Sequence, residues 1–458
     1  MTAAPPRTDG WVGDRFGVRL HTGGSVVGWE LPELVGLALR RNPRRAHLLV
    51  STVLGKHVPV EPGLVRGAGR LLGLLVAASL GELPADRVRT AAEALRRGDH
   101  DPVDALVAGH RPATGTAVFG FAETATGLGH CVAEALHARS YLHSTRREVA
   151  GVPVALRFEE GHSHATAHLV QPQPAGLLGG GGPDEVLVLV DDELSTGTTA
   201  IGAIRALHAV APRRRYVVAA LIDLRSPADA ATLDAFADDL GVAITVVALT
   251  SGGVHLPAGL AGAAAAHVAA HPAAPSAAAP VPPVTRVVLP WPAALPEGGR
   301  HGALGAEAAA FDAAVSAAAE VLDAAVPAGR VLVVGTEELM YLPLRLATAL
   351  VTPLRTVRFQ TTTRSPVHPV DDPGYPVRRA FRFVSPEPDP DGVPRYLYNA
   401  TWDDGTDPDA VVVVVDAATD TAALSAPDGL FAALAVLGVP LVLAVVPGAD
   451  PSILGDRP

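Results

Sequence analysis

Short runs of aliphatic and β-branched residues recur along the chain, each followed by a longer stretch whose apolar positions return every three or four residues. In the first half the runs at 47–53, 117–121, 152–158, 186–190, 216–223 and 243–249 read as strands. In the second half 286–289, 330–334, 356–360, 411–415 and 441–446 read the same way, with helices expected at 305–325, 338–350 and 429–437. Strands separated by helices predict mainly parallel sheets, so the fold class is α/β, in two units. No internal repeat relates one unit to the other.

Between 258 and 284 the pattern lapses into Ala, Pro and His, closing in HPAAPSAAAPVPPV, a composition that builds no core and stiffens toward polyproline II. A linker there separates domains at 14–257 and 285–458, behind an expected disordered tail at 1–13. With 458 residues, 48% of them hydrophobic, the chain has material for two cores. A formal net charge of −11 argues against non-specific binding of nucleic acid. The apolar stretch 64–80 carries Arg66 and Arg70, so it fails as a membrane span of about 20 apolar residues. A lone cysteine, Cys131, leaves no internal disulfide or cysteine-based zinc cluster, and no secretory signal pattern opens the chain. The expectation is a cytoplasmic protein without a membrane segment.

The chemistry concentrates after the run 186–190. It passes into Asp191-Asp192, then Glu193-Leu194, then Ser195-Thr196-Gly197-Thr198-Thr199, and then a helical pattern with Ile201, Ile204 and Leu207. A helix start with successive amides suits an anion, Gly197 lets backbone approach it, and four hydroxyls add donors. The two carboxylates at the strand end suit ribose hydroxyls and a developing positive charge on the ring. An ordinary Ser/Thr helix cap explains the hydroxyls but not the acid pair and glycine together. No Walker-type lysine follows the loop.

This segment resembles the 5-phosphoribosyl-1-pyrophosphate (PRPP) binding motif of type I phosphoribosyltransferases, and its surroundings resemble the orotate branch more than the purine branch, with Ser195 where purine enzymes commonly carry an acid. The resemblance implies Asp191 and Asp192 on the ribose, in indirect contact with Mg²⁺ through Mg-PRPP, and Ser195, Thr196, Gly197, Thr198 and Thr199 on its phosphate. VFGFAETATGLG, 118–129, then looks like the pyrophosphate turn, with Glu123, Thr124, Ala125 and Thr126, joined by Arg146 and Arg147. RFEEGHSHATAH, 157–168, occupies the place of the mobile catalytic loop; that loop bears a lysine in related enzymes, whereas this one offers Arg157, Glu159, Glu160, His162, His164 and His168. The H-x-H-x3-H spacing also admits a metal site, and a plain polar surface loop is a third reading. On the acceptor side, Gly55-Lys56-His57 with Pro59 is the nearest match to a Ser-Gly-basic pattern; Lys56 is the chain's only lysine, and Arg225 is a weaker acceptor candidate.

The whole chain resembles a narrower bacterial family: an orotate-type phosphoribosyltransferase followed by a TRSP domain, encoded with tellurium-resistance and stress-response genes. The tetrapeptide stands as Thr363-Arg364-Ser365-Pro366, within FQTTTRSPVHPVDDPGYP and after GTEELMYLPLRLA. In that second unit Thr336, Glu337 and Glu338, then Thr363, Arg364 and Ser365, follow predicted strands, where parallel sheets bind ligands; Arg364 with its hydroxyl neighbours suits a phosphate or carboxylate, and the two glutamates suit a helix start equally well. The resemblance implies a homodimer that uses PRPP, Mg²⁺ and a nucleobase-like acceptor, in transfer or in cleavage of a nucleotide by pyrophosphate. A non-catalytic sensor of PRPP or a nucleotide is the competing reading.

Overall fold

A computed structural model describes residues 10–41, 46–149, 151–159, 167–272, 280–387 and 392–457. Five parallel strands, β1 (Thr116–Gly120), β2 (Ser140–His143), β3 (Val186–Leu194), β4 (Arg215–Asp223) and β5 (Ala243–His255), lie side by side in the order β5-β4-β3-β1-β2. Residues 186–190 of β3 are all buried, Val186, Val188 and Val190 in one core and Leu187 and Leu189 in the other. A strand covered on both faces needs a continuous aliphatic run, which is how it reads in sequence. On one face lies helix α1 (Pro62–Ser79), with Leu71, Leu72 and Leu75; on the other lies helix α2 (Thr198–Val210), with Ala203, Ile204 and Leu207.

The second unit repeats the plan without repeating the sequence. Strands β6 (Val284–Val288), β7 (Gly329–Gly335), β8 (Arg355–Thr361), β9 (Ala410–Asp416) and β10 (Leu441–Val446) are all parallel, in the order β6-β10-β9-β7-β8. The two units interlock. Ala303–Leu304 adds an antiparallel edge to β2, Val367–His368 pairs with Val35–Arg40, and Val60 bridges to Phe359.

Several boundaries differ from expectation. Within the supposed linker, Leu260–Ala270 is a helix, because alanine is the strongest helix former and a flat alanine face packs into a shallow groove. Leu260 and Ala264 are buried there together with Val12, from a helix at Gly10–Phe16 that replaces the end of the expected tail; residues 1–9 lie outside the described residues. The strand expected from 152 begins at Leu156, beyond Pro153, which has no amide to give a ladder. The helix expected from 338 begins at Tyr341, because residues 336–339 close a tight bridged turn with Glu337 at φ 46°. No helix among the described residues is long and apolar enough to cross a membrane.

Candidate active site

From β1 the chain moves outward to β2, then returns past β1 to lay down β3, β4 and β5 on its other side. The loops leaving β1 and β3 therefore diverge, and a crevice opens between them at the carboxyl edge of the sheet. The acid pair and the hydroxyl loop line one side of it. Asp191 Oδ1 accepts the Asp192 amide at 2.9 Å, and both carboxylates are partly exposed. Gly197, at φ 81°, turns the backbone into helix α2, a conformation that costs other residues strain. Ser195 and Thr198 are exposed, and the Thr196 and Thr198 hydroxyls lie 3.0 Å apart, so the donors gather at a helix start.

Next to this loop is a narrow cleft, lined in part by Leu54, Leu221, Ile222, Ser51 and Asp192 and by the neighbours Lys56 and His57. Lys56 Nζ donates to Thr124 Oγ1 at 2.6 Å, which ties this wall of the cleft to the loop after β1. His57 is 3% exposed, and neither ring nitrogen has a hydrogen-bond partner. Burial, then Lys56 and Arg40, push its pKa well down, so the ring is neutral and offers one donor and one acceptor. Sequence reasoning treated His57 only as a neighbour of Lys56; burial without a partner has no sequence signature. Arg225 does not line this cleft. It forks onto Asp223 at 3.0 and 2.8 Å, beside the loop 195–199, with its Cδ 3.6 Å from where a Cβ on Gly197 would stand.

On the other side of the crevice, residues 121–126 turn from β1 into helix α3 (Ala125–Ala135), and the Ala122–Glu123 peptide is cis. Ala125 and Thr126 are buried; the Thr126 hydroxyl donates back to the Glu123 carbonyl at 3.1 Å and so is spent within the turn. Burial and then Glu337 push the Glu123 carboxyl up to about 7, against the pull of Arg364, Arg146 and Lys56. Arg146 Nη2 reaches the Ala122 carbonyl at 3.4 Å. Arg147 departs from expectation: it leaves the crevice to bond Asp416 at 3.1 Å and Glu387, at the carboxyl edge of the second sheet.

The six candidates of the second unit do not gather on a cleft of their own. Glu338 accepts from Thr145 Oγ1 and the Arg146 amide, both at 2.7 Å, and from Arg300 at 3.1 Å. Burial opposes its charge, yet Arg300, His143 and Arg147 hold its pKa at about 2. Glu337 instead meets Arg364 and Arg395. Thr336 Oγ1 faces the Val414 carbonyl at 3.4 Å, and Thr363 Oγ1 accepts the Ser365 amide at 3.1 Å. These groups are satisfied by each other and by the first unit.

The expected mobile loop is bounded by an antiparallel pair, Leu156–Glu159 with Ala167–Val170. Glu160, His162 and His164 lie outside the described residues. Arg157 is exposed and 3.4 Å from Glu148. His168 is fully buried, stacked on Phe158 at 4.6 Å and bonded to Ser144 at 2.8 Å, so it anchors the base of the hairpin. Among the described residues no three His, Cys, Asp or Glu side chains are grouped to hold a metal ion.

Comparison with known proteins adds to this geometry. Residues 34–253 match a family model described as phosphoribosyl transferase, and residues 297–434 match the TRSP domain that lies C-terminal to it. Similar solved structures include the adenine phosphoribosyl transferase of Trypanosoma brucei, bound to AMP, pyrophosphate and ribose-5-phosphate, at 14% identity over 34% of this chain and 65% of that one, with a TM-score of 0.24. The adenine phosphoribosyltransferase of Rhodothermus marinus gives 17% identity over 47% and 94%, TM-score 0.27. That of Saccharomyces cerevisiae gives 13% over 47% and 94%, TM-score 0.26. No curated protein matches the chain.

Proposed function

We infer the reaction from a chain that is a phosphoribosyltransferase with a TRSP domain fused behind it, and we propose that it transfers the 5-phosphoribosyl group of PRPP to a planar, nucleobase-like acceptor. The observation that carries this reading is Asp192 on the wall of the cleft that Lys56 and His57 also line, bonded to Asp191 and followed by a Gly197-capped helix start. The ribose hydroxyls donate to Asp191 and Asp192. The 5-phosphate takes the amides and hydroxyls of Ser195, Thr196, Gly197, Thr198 and Thr199. The bond from C1 to the pyrophosphate oxygen breaks, pyrophosphate leaves with the electron pair, and an acceptor nitrogen forms the new bond to C1 and gives up its proton to the departing pyrophosphate. Between those events the ring carries positive charge, which the carboxylates stabilise without having to move. The same positions serve the reverse cleavage of a nucleotide by pyrophosphate.

The donor set fits magnesium held mostly by substrate: two carboxylates at a strand end and no third grouped ligand among the described residues. Asp191 and Asp192 would hold such a hard cation indirectly, through the bound substrate, and it would neutralise the charge of the diphosphate. The acceptor lies between the apolar walls of the cleft, and His57 reads its edge with one donor and one acceptor. The resemblance of the fused pair supports a place in tellurium-resistance and stress-response systems.

The test incubates the full chain with labelled PRPP, Mg²⁺ and fractions of a metabolite extract, beside Asp191→Asn/Asp192→Asn. The expected result is acceptor-dependent pyrophosphate release that drops about 10²- to 10³-fold in the variant. PRPP that binds the wild type but yields no pyrophosphate with any fraction overturns transfer and leaves a sensor.

A further inference from the structure

The arginine of the TRSP tetrapeptide reaches across the boundary between the two units. Arg364 Nε lies 2.8 Å from Glu123 Oε1 and 3.3 Å from Glu337 Oε2. The Nε–H donates to Glu337, while Glu123 Oε1 takes no hydrogen bond among the described residues, so the Glu123 contact is an ion pair without a hydrogen bond. Glu123 belongs to the loop leaving β1, which faces the acid pair across the switch-point crevice. Lys56, bonded to Thr124 one residue on, also lines the cleft with Asp192. Arg146 stands against the carbonyl of Ala122, one residue before.

Three cations from three separate parts of the chain thus converge on residues 122–124: Lys56 before α1, Arg146 after β2 and Arg364 after β8. The β3 side of the crevice already provides for the ribose and its 5-phosphate, so the leaving group falls toward the β1 side. A diphosphate is the ligand that this convergence suits, since a planar guanidinium can fork onto two of its oxygens.

We propose that Arg364 binds the diphosphate of PRPP and of released pyrophosphate, so that the C-terminal domain completes the transferase site from within the same chain. The proposal rests on the transferase reading above. It gives the fused domain a task at the reaction centre, and it supplies a fixed cation to a site whose expected lid carries no lysine. Glu337 holds the guanidinium in place through its hydrogen bond, and the diphosphate takes the place of the Glu123 carboxylate beside it.

The experiment measures binding of Mg-pyrophosphate, Mg-PRPP and ribose 5-phosphate to the full chain by calorimetry, in wild type, Arg364→Gln, Arg364→Lys and Glu123→Gln. Arg364→Gln should weaken pyrophosphate and PRPP by about 10- to 100-fold and leave ribose 5-phosphate unchanged. Arg364→Lys should recover part of the loss, as a point charge without the fork. Glu123→Gln removes the same ion pair from its other end but lifts a competing negative charge, so pyrophosphate should bind as tightly as in wild type or more so. Equal weakening in Arg364→Gln and Glu123→Gln, or a loss of ribose 5-phosphate along with pyrophosphate, overturns the proposal in favour of a structural clamp. Unchanged pyrophosphate binding in Arg364→Gln overturns it alone, whereas a wild type that binds none of the three ligands overturns the transferase reading beneath it.

Discussion

Both sheets contain one switch point, and they use it in opposite ways. Between β1 and β3 the strand ends carry Asp191, Asp192 and the hydroxyl loop, and those groups reach solvent. Between β7 and β9 the equivalent ends carry Glu338 and Asp416, which are 8% and 4% exposed and meet Arg300 and Arg147. The general rule for open α/β sheets puts a ligand at each place. Here the second crevice already has an occupant, a guanidinium from the transferase unit, and so works as a socket that holds that unit's loop 144–147 in position. Topology nominates a site, and the hydrogen-bond partners of its side chains decide whether it is available.

The largest expected effect comes from emptying the socket. Glu338→Ala leaves Arg300 with Asp416 alone, strips the Arg146 amide of its acceptor and takes from the Thr145 hydroxyl the nearer of its two. Breaking a buried charge network of this kind should cost about 3–5 kcal/mol in denaturant unfolding. A loss well below 1 kcal/mol would mean that the socket is not structural and would erase the contrast. At the open crevice Asp192→Asn should behave the other way. Stability should stay within about 0.5 kcal/mol of wild type, because the side chain is partly exposed, while acceptor-dependent pyrophosphate release falls about 10²-fold. A destabilisation as large as that of Glu338→Ala would show that the acid pair is structural too.

Protons should separate the two regions next. In the socket, Glu338 is held at about 2 against an unfolded value of 4.5, and burial drives His143 down to about 4 from 6.5. A depressed carboxylate stabilises the fold above its unfolded pKa and loses that contribution as pH falls toward the folded one. A depressed histidine likewise weakens the fold as pH drops from 6.5 toward 4. Both therefore fail in acid. Glu123 has the reverse sign: raised from 4.5 to about 7, its carboxyl is no burden below pH 4.5 and destabilises as pH rises through 7. Glu123→Gln should then gain about 1–3 kcal/mol at pH 8 and nothing at pH 4, by equilibrium unfolding at both values. An equal gain at the two pH values would assign the effect to packing instead of charge.

The open crevice was legible because it is local. Strand, acid pair, glycine and helix start fall within residues 186–207, and each follows from hydrophobic pattern or backbone chemistry. The socket was not, because its partners are far apart in the chain: Arg146 and Glu338 are separated by 192 residues, Arg147 and Asp416 by 269. An arginine pair after a strand looks the same in sequence whether it faces pyrophosphate or a neighbouring domain. The Ala-rich segment failed for a different reason. Its composition argued against a core, but a helix that packs with one alanine face needs only the groove beside Val12.

Effects no larger than that of Glu123→Gln should come from the glycines that shape the two crevices, and they differ in kind. Gly335 ends β7 in the socket, where an added Cβ would stand 2.6 Å from the Leu339 carbonyl oxygen. That neighbour is backbone and cannot swing aside, so Gly335→Ala should cost about 1–3 kcal/mol through a clash. Gly197 in the open loop has room, with Arg225 Cδ at 3.6 Å as the nearest atom, but its φ of 81° strains any side chain. Gly197→Ala should therefore cost only about 1 kcal/mol in unfolding while weakening PRPP, because the methyl group stands where the backbone meets the phosphate. If Gly197→Ala proves the more destabilising of the two with PRPP affinity intact, the loop is shaped for the fold before it is shaped for a ligand.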